Sequence, residues 1–143
     1  MEGASWPTHL TPIIEEFKDC FDSMERYELL FEYAKKHPSS LPIEEWNEKN
    51  QILGCQSRAH VECSLDDNGL FLLRAGADAQ IVQGLMSITA ITVNGMLPIE
   101  VAKLTPEFVK EMGLKSSLTP SRANGFLNMF NRVVSEAEVL SER

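Results

Sequence analysis

The chain carries three cysteines, Cys20, Cys55 and Cys63, and three histidines, His9, His37 and His60. Cys20 falls on an apolar stripe at helical spacing. Cys63 falls on the inward side of an alternating strand. A free thiol in either setting packs as a small apolar group. Cys55 differs, because it stands between Gly54 and Gln56-Ser57, in a polar segment that precedes the strongest strand pattern of the chain. Reactive cysteines sit in such loops on a rigid scaffold, and so do incidental ones.

A thiol of ordinary pKa ~8.5 is only slightly ionised at neutral pH, yet it is strongly nucleophilic. Hydrolysis would need a base beside it. His9 lies near the N-terminus, His37 at a helix end, and His60 reads as a solvated side chain on the outward face of a strand. No Cys/His/Asn signature is present. Cys55 and Cys63 are eight residues apart, unlike the close pairs that bind zinc. Thiol exchange asks for less. One accessible thiolate can take sulfur from another sulfur by displacement, with the partner supplying acid–base groups. A loop cysteine with no base and no cofactor motif fits a carrier better than a self-sufficient enzyme.

The elements that must position this loop are legible in outline. From Thr11, a cap, and Pro12, the residues Ile13, Phe17, Cys20 and Met24 fall at helical spacing. Asp22 with Glu25 offers a second helix start, and Tyr27, Leu30, Phe31 and Ala34 continue it to Pro38. Residues 37–50 form a loop with at most a helical turn near Pro42 to Trp46. Ala59, Val61, Cys63 and Leu65 alternate with Arg58, His60, Glu62 and Ser64, a half-buried strand. Asp66-Asp67-Asn68-Gly69 is a hairpin turn, since Asn-Gly tolerates positive φ. Leu70 to Arg74 returns as its partner, and Gln51-Ile52-Leu53 is a candidate third strand. Asp78 caps a buried helix through Ile81, Val82, Leu85, Met86 and Ile88. Thr105-Pro106 opens a short helix. Thr119-Pro120 opens the last one, whose core stripe is Phe126, Met129, Phe130, Val133, Ala137 and Leu140. The expected fold class is α+β, a small antiparallel sheet of about three strands packed with helices.

At 143 residues the chain suits one domain, with residues 1–10 expected to be flexible. Its 13 basic and 21 acidic residues give a net charge of −8, which speaks against nucleic acid or an anionic membrane as the main partner. Eleven of the acids and five of the bases lie within residues 1–50, so the acidity is concentrated there. No apolar run is long enough to span a membrane, and no secretory or transit pattern opens the chain. The expectation is a soluble, intracellular, reducing setting with free thiols.

Asn50-Gln51-Ile52-Leu53-Gly54-Cys55-Gln56-Ser57 resembles the Gly-Cys-Gln-Ser loop of the SufE family, the sulfur acceptors of cysteine desulfurases. Three further segments match in order. Glu25-Arg26-Tyr27-Glu28-Leu29-Leu30 resembles the first long helix of the family. Ala77-Asp78-Ala79 with Ile81-Val82-Gln83-Gly84-Leu85 resembles its Asp-Ala helix start. Leu118-Thr119-Pro120-Ser121-Arg122-Ala123-Asn124-Gly125 resembles its Leu-Thr-Pro-Ser-Arg signature. The matches span residues 13–137. Ala59-His60 stands where many members have Val-Trp, and Gly76-Ala77 where an acidic residue and Ser are common.

The resemblance implies a single SufE-like domain with the α+β sandwich shared with scaffold proteins of the IscU type. It implies that Cys55 takes sulfane sulfur from the persulfide of a cysteine desulfurase of the SufS or CsdA type, stimulates that enzyme, and passes sulfur to an iron–sulfur scaffold. Pyridoxal phosphate would belong to the partner, leaving this chain with no cofactor, no metal and no enzyme activity of its own. A non-catalytic scaffold or interaction domain is the alternative. The location implied is the cytoplasm, or an organelle stroma or matrix for a processed form, and a homodimer is compatible with it. Gly54, Gln56 and Ser57 would present the cysteine, which the family keeps against apolar neighbours until it docks. Asp78 and Arg122 are the other candidates for holding the loop. Arg122 lies in the first turn of a helix, a poor place for a cation on dipole grounds, so it has either an acidic partner or full solvation.

Overall fold

The computed structural model describes residues 6–53, 58–114 and 118–142. Its helices are α1 (Thr11–Lys18), α2 (Ser23–Lys35), α3 (Gln80–Val93), α4 (Pro98–Val101), α5 (Phe108–Glu111) and α6 (Pro120–Ser141). Its strands are β1 (Ala59–Leu65) and β2 (Phe71–Ala77), paired antiparallel from Ala59↔Ala77 to Leu65↔Phe71.

The two N-terminal helices do not share one stripe. α1 ends at Lys18 and Asp22 starts α2, its carboxylate accepting from Glu25 N–H at 3.0 Å. Ile13 and Phe17 are buried, but Met24 lies beyond the turn and is 72% exposed. Cys20 sits in the turn itself, half-exposed rather than on a buried stripe. Thr11 is the first helical residue of α1 and not its cap, which is Leu10.

The hairpin follows the sequence pattern with a different turn. Within the turn, only Gly69 takes positive φ, at +78°. Asp66 Oδ1 accepts from Asn68 N–H at 2.8 Å and from Leu70 N–H at 3.0 Å, so an aspartate side chain organises the bend. β2 runs three residues further than Arg74, to Ala77. Both edges are extended by single bridges. Ser40 pairs parallel with Ala75, and Gln51 pairs antiparallel with His60. The expected third strand is therefore one bridge of an edge segment, because the turn at residues 48–50 leaves no length for a longer ladder.

α3 and α6 cover one face of the sheet and pack on each other, with α2 behind α3 and α4 against α6. α3 is buried over most of its length, which its apolar composition demands. Gly84 makes this packing feasible: a Cβ there would fall 2.4 Å from the Leu30 carbonyl oxygen of α2. On α6, Thr119 caps through its hydroxyl, and Phe126, Met129, Phe130, Val133 and Ala137 face the core. Phe108 of α5 completes the cluster edge-on to Phe126, with centroids 6.1 Å apart. The short α4 has only a Pro98 start signal and is not legible from periodicity.

Candidate functional site

The loop residues Gly54, Cys55, Gln56 and Ser57 lie outside the described residues. What surrounds them is defined on both sides. Ile52 N–H donates to Ala59 O and Val61 N–H donates to Asn50 O, each at 2.8 Å. These bonds clamp residues 50–52 to the start of β1. Leu53 on one side is 80% exposed.

The outer face of the sheet at this end is roofed. Trp46, from the loop after a 3₁₀ turn at Ile43–Glu45, stacks on His60 with centroids 4.6 Å apart and planes 18° apart. Gly76, opposite His60 in register, leaves room for it: a Cβ would lie 2.7 Å from Trp46 Nε1. That nitrogen donates to Leu41 O at 2.9 Å. His60 is therefore 5% exposed, not solvated as strand alternation predicts. Alternation assigns it to the outer face correctly, but a covered outer face buries what it carries.

His60 is held by Asn50, itself 3% exposed. Asn50 Nδ2 donates to Glu45 O and to Glu62 Oε2, while its Oδ1 accepts from Asn47 N–H. The amide orientation is thereby fixed. His60 Nδ1, 2.7 Å from Asn50 Oδ1, must carry its proton and donate. Burial lowers the His60 pKa, outweighing the Asn47 carbonyl that favours the charged ring; the Arg58 charge lowers it further. His60 is thus a neutral structural ring beneath the loop base.

Arg58, the first described residue after the loop, lies over the Trp46 ring at 5.0 Å and pairs with Asp78 at 3.5 Å. Asp78 is not a helix cap. Ala79 holds that position without a side-chain bond, and the Asp78 carboxylate is turned to Arg58 instead. Arg122 is half-buried in the first turn of α6, its N–H donating to Thr119 Oγ1 at 3.3 Å. A groove of about 440 Å³ runs beside the loop base, between residues 48–53 and Asn128, Asn131, Arg132 and Ser135 of α6. Arg132 Nη2 bridges it by donating to Lys49 O at 2.8 Å.

The other two thiols lie elsewhere in character. Cys63 is half-exposed on β1, and burial, then Glu136, pushes its pKa far up. Cys20 is also pushed up, first by burial and then by Glu25, but it borders an acidic groove with Glu16 and Asp19. No cluster of three metal-ligating side chains occurs among the described residues. Sequence reasoning did not find Trp46 or Arg132 as parts of this site, nor the bonds that Asn50 makes there. Gly76 inside a strand was the available signal, since glycine there marks a close approach from above.

The family described as "SufE: Fe-S metabolism associated domain" matches residues 11–137. An uncharacterized SufE-like protein of Synechocystis is 38% identical over 139 residues, 96% of this chain and 85% of that one. Cysteine desulfuration protein SufE of Plasmodium falciparum is 28% identical over 134 residues, 87% of this chain and 53% of its own length. SufE-like protein 1, chloroplastic/mitochondrial, of Arabidopsis thaliana is 29% identical over 131 residues, 92% of this chain and 35% of its own length. This chain belongs to the SufE family. Its fold is that of a hypothetical protein from Thermus thermophilus, with a TM-score of 0.79 at 23% identity over 97% of this chain and 100% of the other. No helix among the described residues is long and apolar enough to cross a membrane.

Proposed function

We propose that this protein accepts sulfane sulfur from a cysteine desulfurase onto Cys55 and relays it to iron–sulfur cluster assembly. The observation that carries the reading is a Gly-Cys-Gln-Ser segment, in a chain of this family, anchored at its base by the Ile52–Ala59 and Asn50–Val61 bonds. The Cys55 thiolate attacks the terminal sulfur of the partner's cysteine persulfide. The sulfur–sulfur bond of the donor breaks, its cysteine leaves as a thiolate, and Cys55 becomes the persulfide. The Cys55 lone pair makes the new sulfur–sulfur bond and the pair of the broken bond leaves on the donor cysteine, so no oxidant or reductant enters. Releasing the donor cysteine raises desulfurase turnover. Pyridoxal phosphate stays with the desulfurase; Gly54, Gln56 and Ser57 shape the loop.

The test mixes the protein with a desulfurase and cysteine, then maps sulfur adducts by mass spectrometry. A single added sulfur on Cys55 is expected, and Cys55→Ser is expected to lose both adduct and stimulation while melting as the parent does. An adduct found mainly on Cys20 or Cys63, or full stimulation by the serine variant, would overturn the reading.

A further inference from the structure

The bridge between Gln51 and His60 has a consequence for the outer side of residues 50–52. Its two framing hydrogen bonds are made by the neighbours, Ile52 with Ala59 and Val61 with Asn50. In that pattern the bridged residues are a non-hydrogen-bonded pair. The N–H and C=O of Gln51 therefore point away from β1, toward the open side of the sheet. His60 turns the corresponding groups to Gly76 of β2, which closes the ladder on that side.

On the open side lies the groove of about 440 Å³ between residues 48–53 and α6. α6 satisfies the carbonyl of Lys49 through Arg132 but no described side chain bonds the main chain of Gln51, which is exposed. The far wall carries the amide side chains Asn128 and Asn131, and the exposed Leu53 lies at the loop end. An unpaired strand edge is a template for an extended chain, because only extended backbone offers donors and acceptors in its plane and spacing. The amides opposite give the other edge of such a strand its partners.

We propose that this edge takes an extended segment of the sulfur-donating partner as an added strand, lying between residues 50–53 and α6. The inference rests on the sulfur-acceptor reading, and the occupant follows from continuity with it. Leu53 is two residues from Cys55, so a chain seated on the edge brings its own sulfur to the place where it is needed. A second copy of this protein would bring only its own acceptor.

The test uses the full chain and a pyridoxal-phosphate cysteine desulfurase without added cysteine. Gln51→Pro deletes the outward N–H and spares both bonds to β1; edge positions tolerate proline. Calorimetric titration is expected to give binding weakened about tenfold or more, in keeping with loss of a buried hydrogen bond and its neighbours. Gln51→Thr, which keeps the N–H, is expected to bind like the parent. In the unaltered protein, the Gln51 amide is expected to gain protection from hydrogen exchange on adding the desulfurase. That measurement stands even if the proline variant folds poorly. Unchanged Gln51 exchange in the complex would overturn the proposal, as would a well-folded proline variant with parental affinity. So would a concentration-dependent dimer that the proline variant loses. Failure of the parent reading looks different: Gln51 is protected, yet no sulfur reaches Cys55.

Discussion

Cys20 and Cys63 are both half-exposed and differ in how strongly their surroundings suppress the thiolate that alkylation needs. Cys63 sits on β1 with its pKa raised by burial and Glu136. Cys20 lies in the turn between α1 and α2, its thiol donating weakly to Glu16 O at 3.6 Å. In a Cys55→Ser background, iodoacetamide is expected to modify Cys20 in the folded protein slowly, because acids surround it, and Cys63 more slowly still, because burial and Glu136 hold its thiol protonated. Peptide mapping after timed quenches checks this; equal rates would mean that burial and Glu136 do not hold it so. Helical spacing gave Cys20 and Met24 a shared buried stripe, and that expectation fails at Asp22. The residue that starts α2 also re-aims the chain, and a periodicity that runs through a cap counts residues from two axes as one.

Gly84 decides how closely α2 and α3 approach. Its substitution by alanine sets a methyl 2.4 Å from a backbone oxygen of Leu30, which no rotamer change can relieve. Gly84→Ala is expected to cost about 1–3 kcal/mol and to lower the melting temperature, although alanine is the better helix former. A calorimetric scan reads the outcome, and a rise in melting temperature would show that α2 yields without loss. Most elements around it were legible from the residues alone. Asp22 and Thr119 cap where their side chains allow, and the stripe from Phe126 to Ala137 needs only a 3.6 period. The covered face of the sheet was not legible. Trp46 reaches His60 and Gly76 from a loop without period, and Asp78 takes Arg58 in place of a helix start. Tertiary contacts of that kind leave little trace in local pattern. Of the candidate site, Cys55 was singled out in the sequence by the family resemblance of its flanks, whereas Arg132 reaches Lys49 from a part of the chain joined to it only by folding.

At the scale of the molecule, pH acts through His37, where α2 hands over to the edge segment. Its Nδ1 accepts from Ser39 N–H at 3.2 Å, and its Nε2 is buried with no hydrogen-bond partner among the described residues. Burial lowers its pKa from 6.5 to about 4. The folded state thus binds a proton less readily than the unfolded one. The stabilisation is complete above the unfolded value and is lost as pH falls from about 6.5 toward 4. Denaturant titrations at pH 7 and pH 5 are expected to differ by up to about 2 kcal/mol from this group. His37→Gln is expected to shrink that difference, and a difference unchanged in the variant would assign the effect to other groups.

Arg132 ties the loop base to a helix 83 residues further along the chain. On a ribosome adding ~5–20 residues per second, the Lys49 carbonyl waits roughly 4–17 s before its guanidinium partner is even made. The hairpin of β1 and β2, closed by a local turn, forms without that delay. For those seconds the nascent chain carries the edge at Gln51 without α6 beside it, and an uncovered edge is where two growing chains pair wrongly. The helix that carries the core stripe also ties down this edge at Lys49, and it is made after the strands it secures.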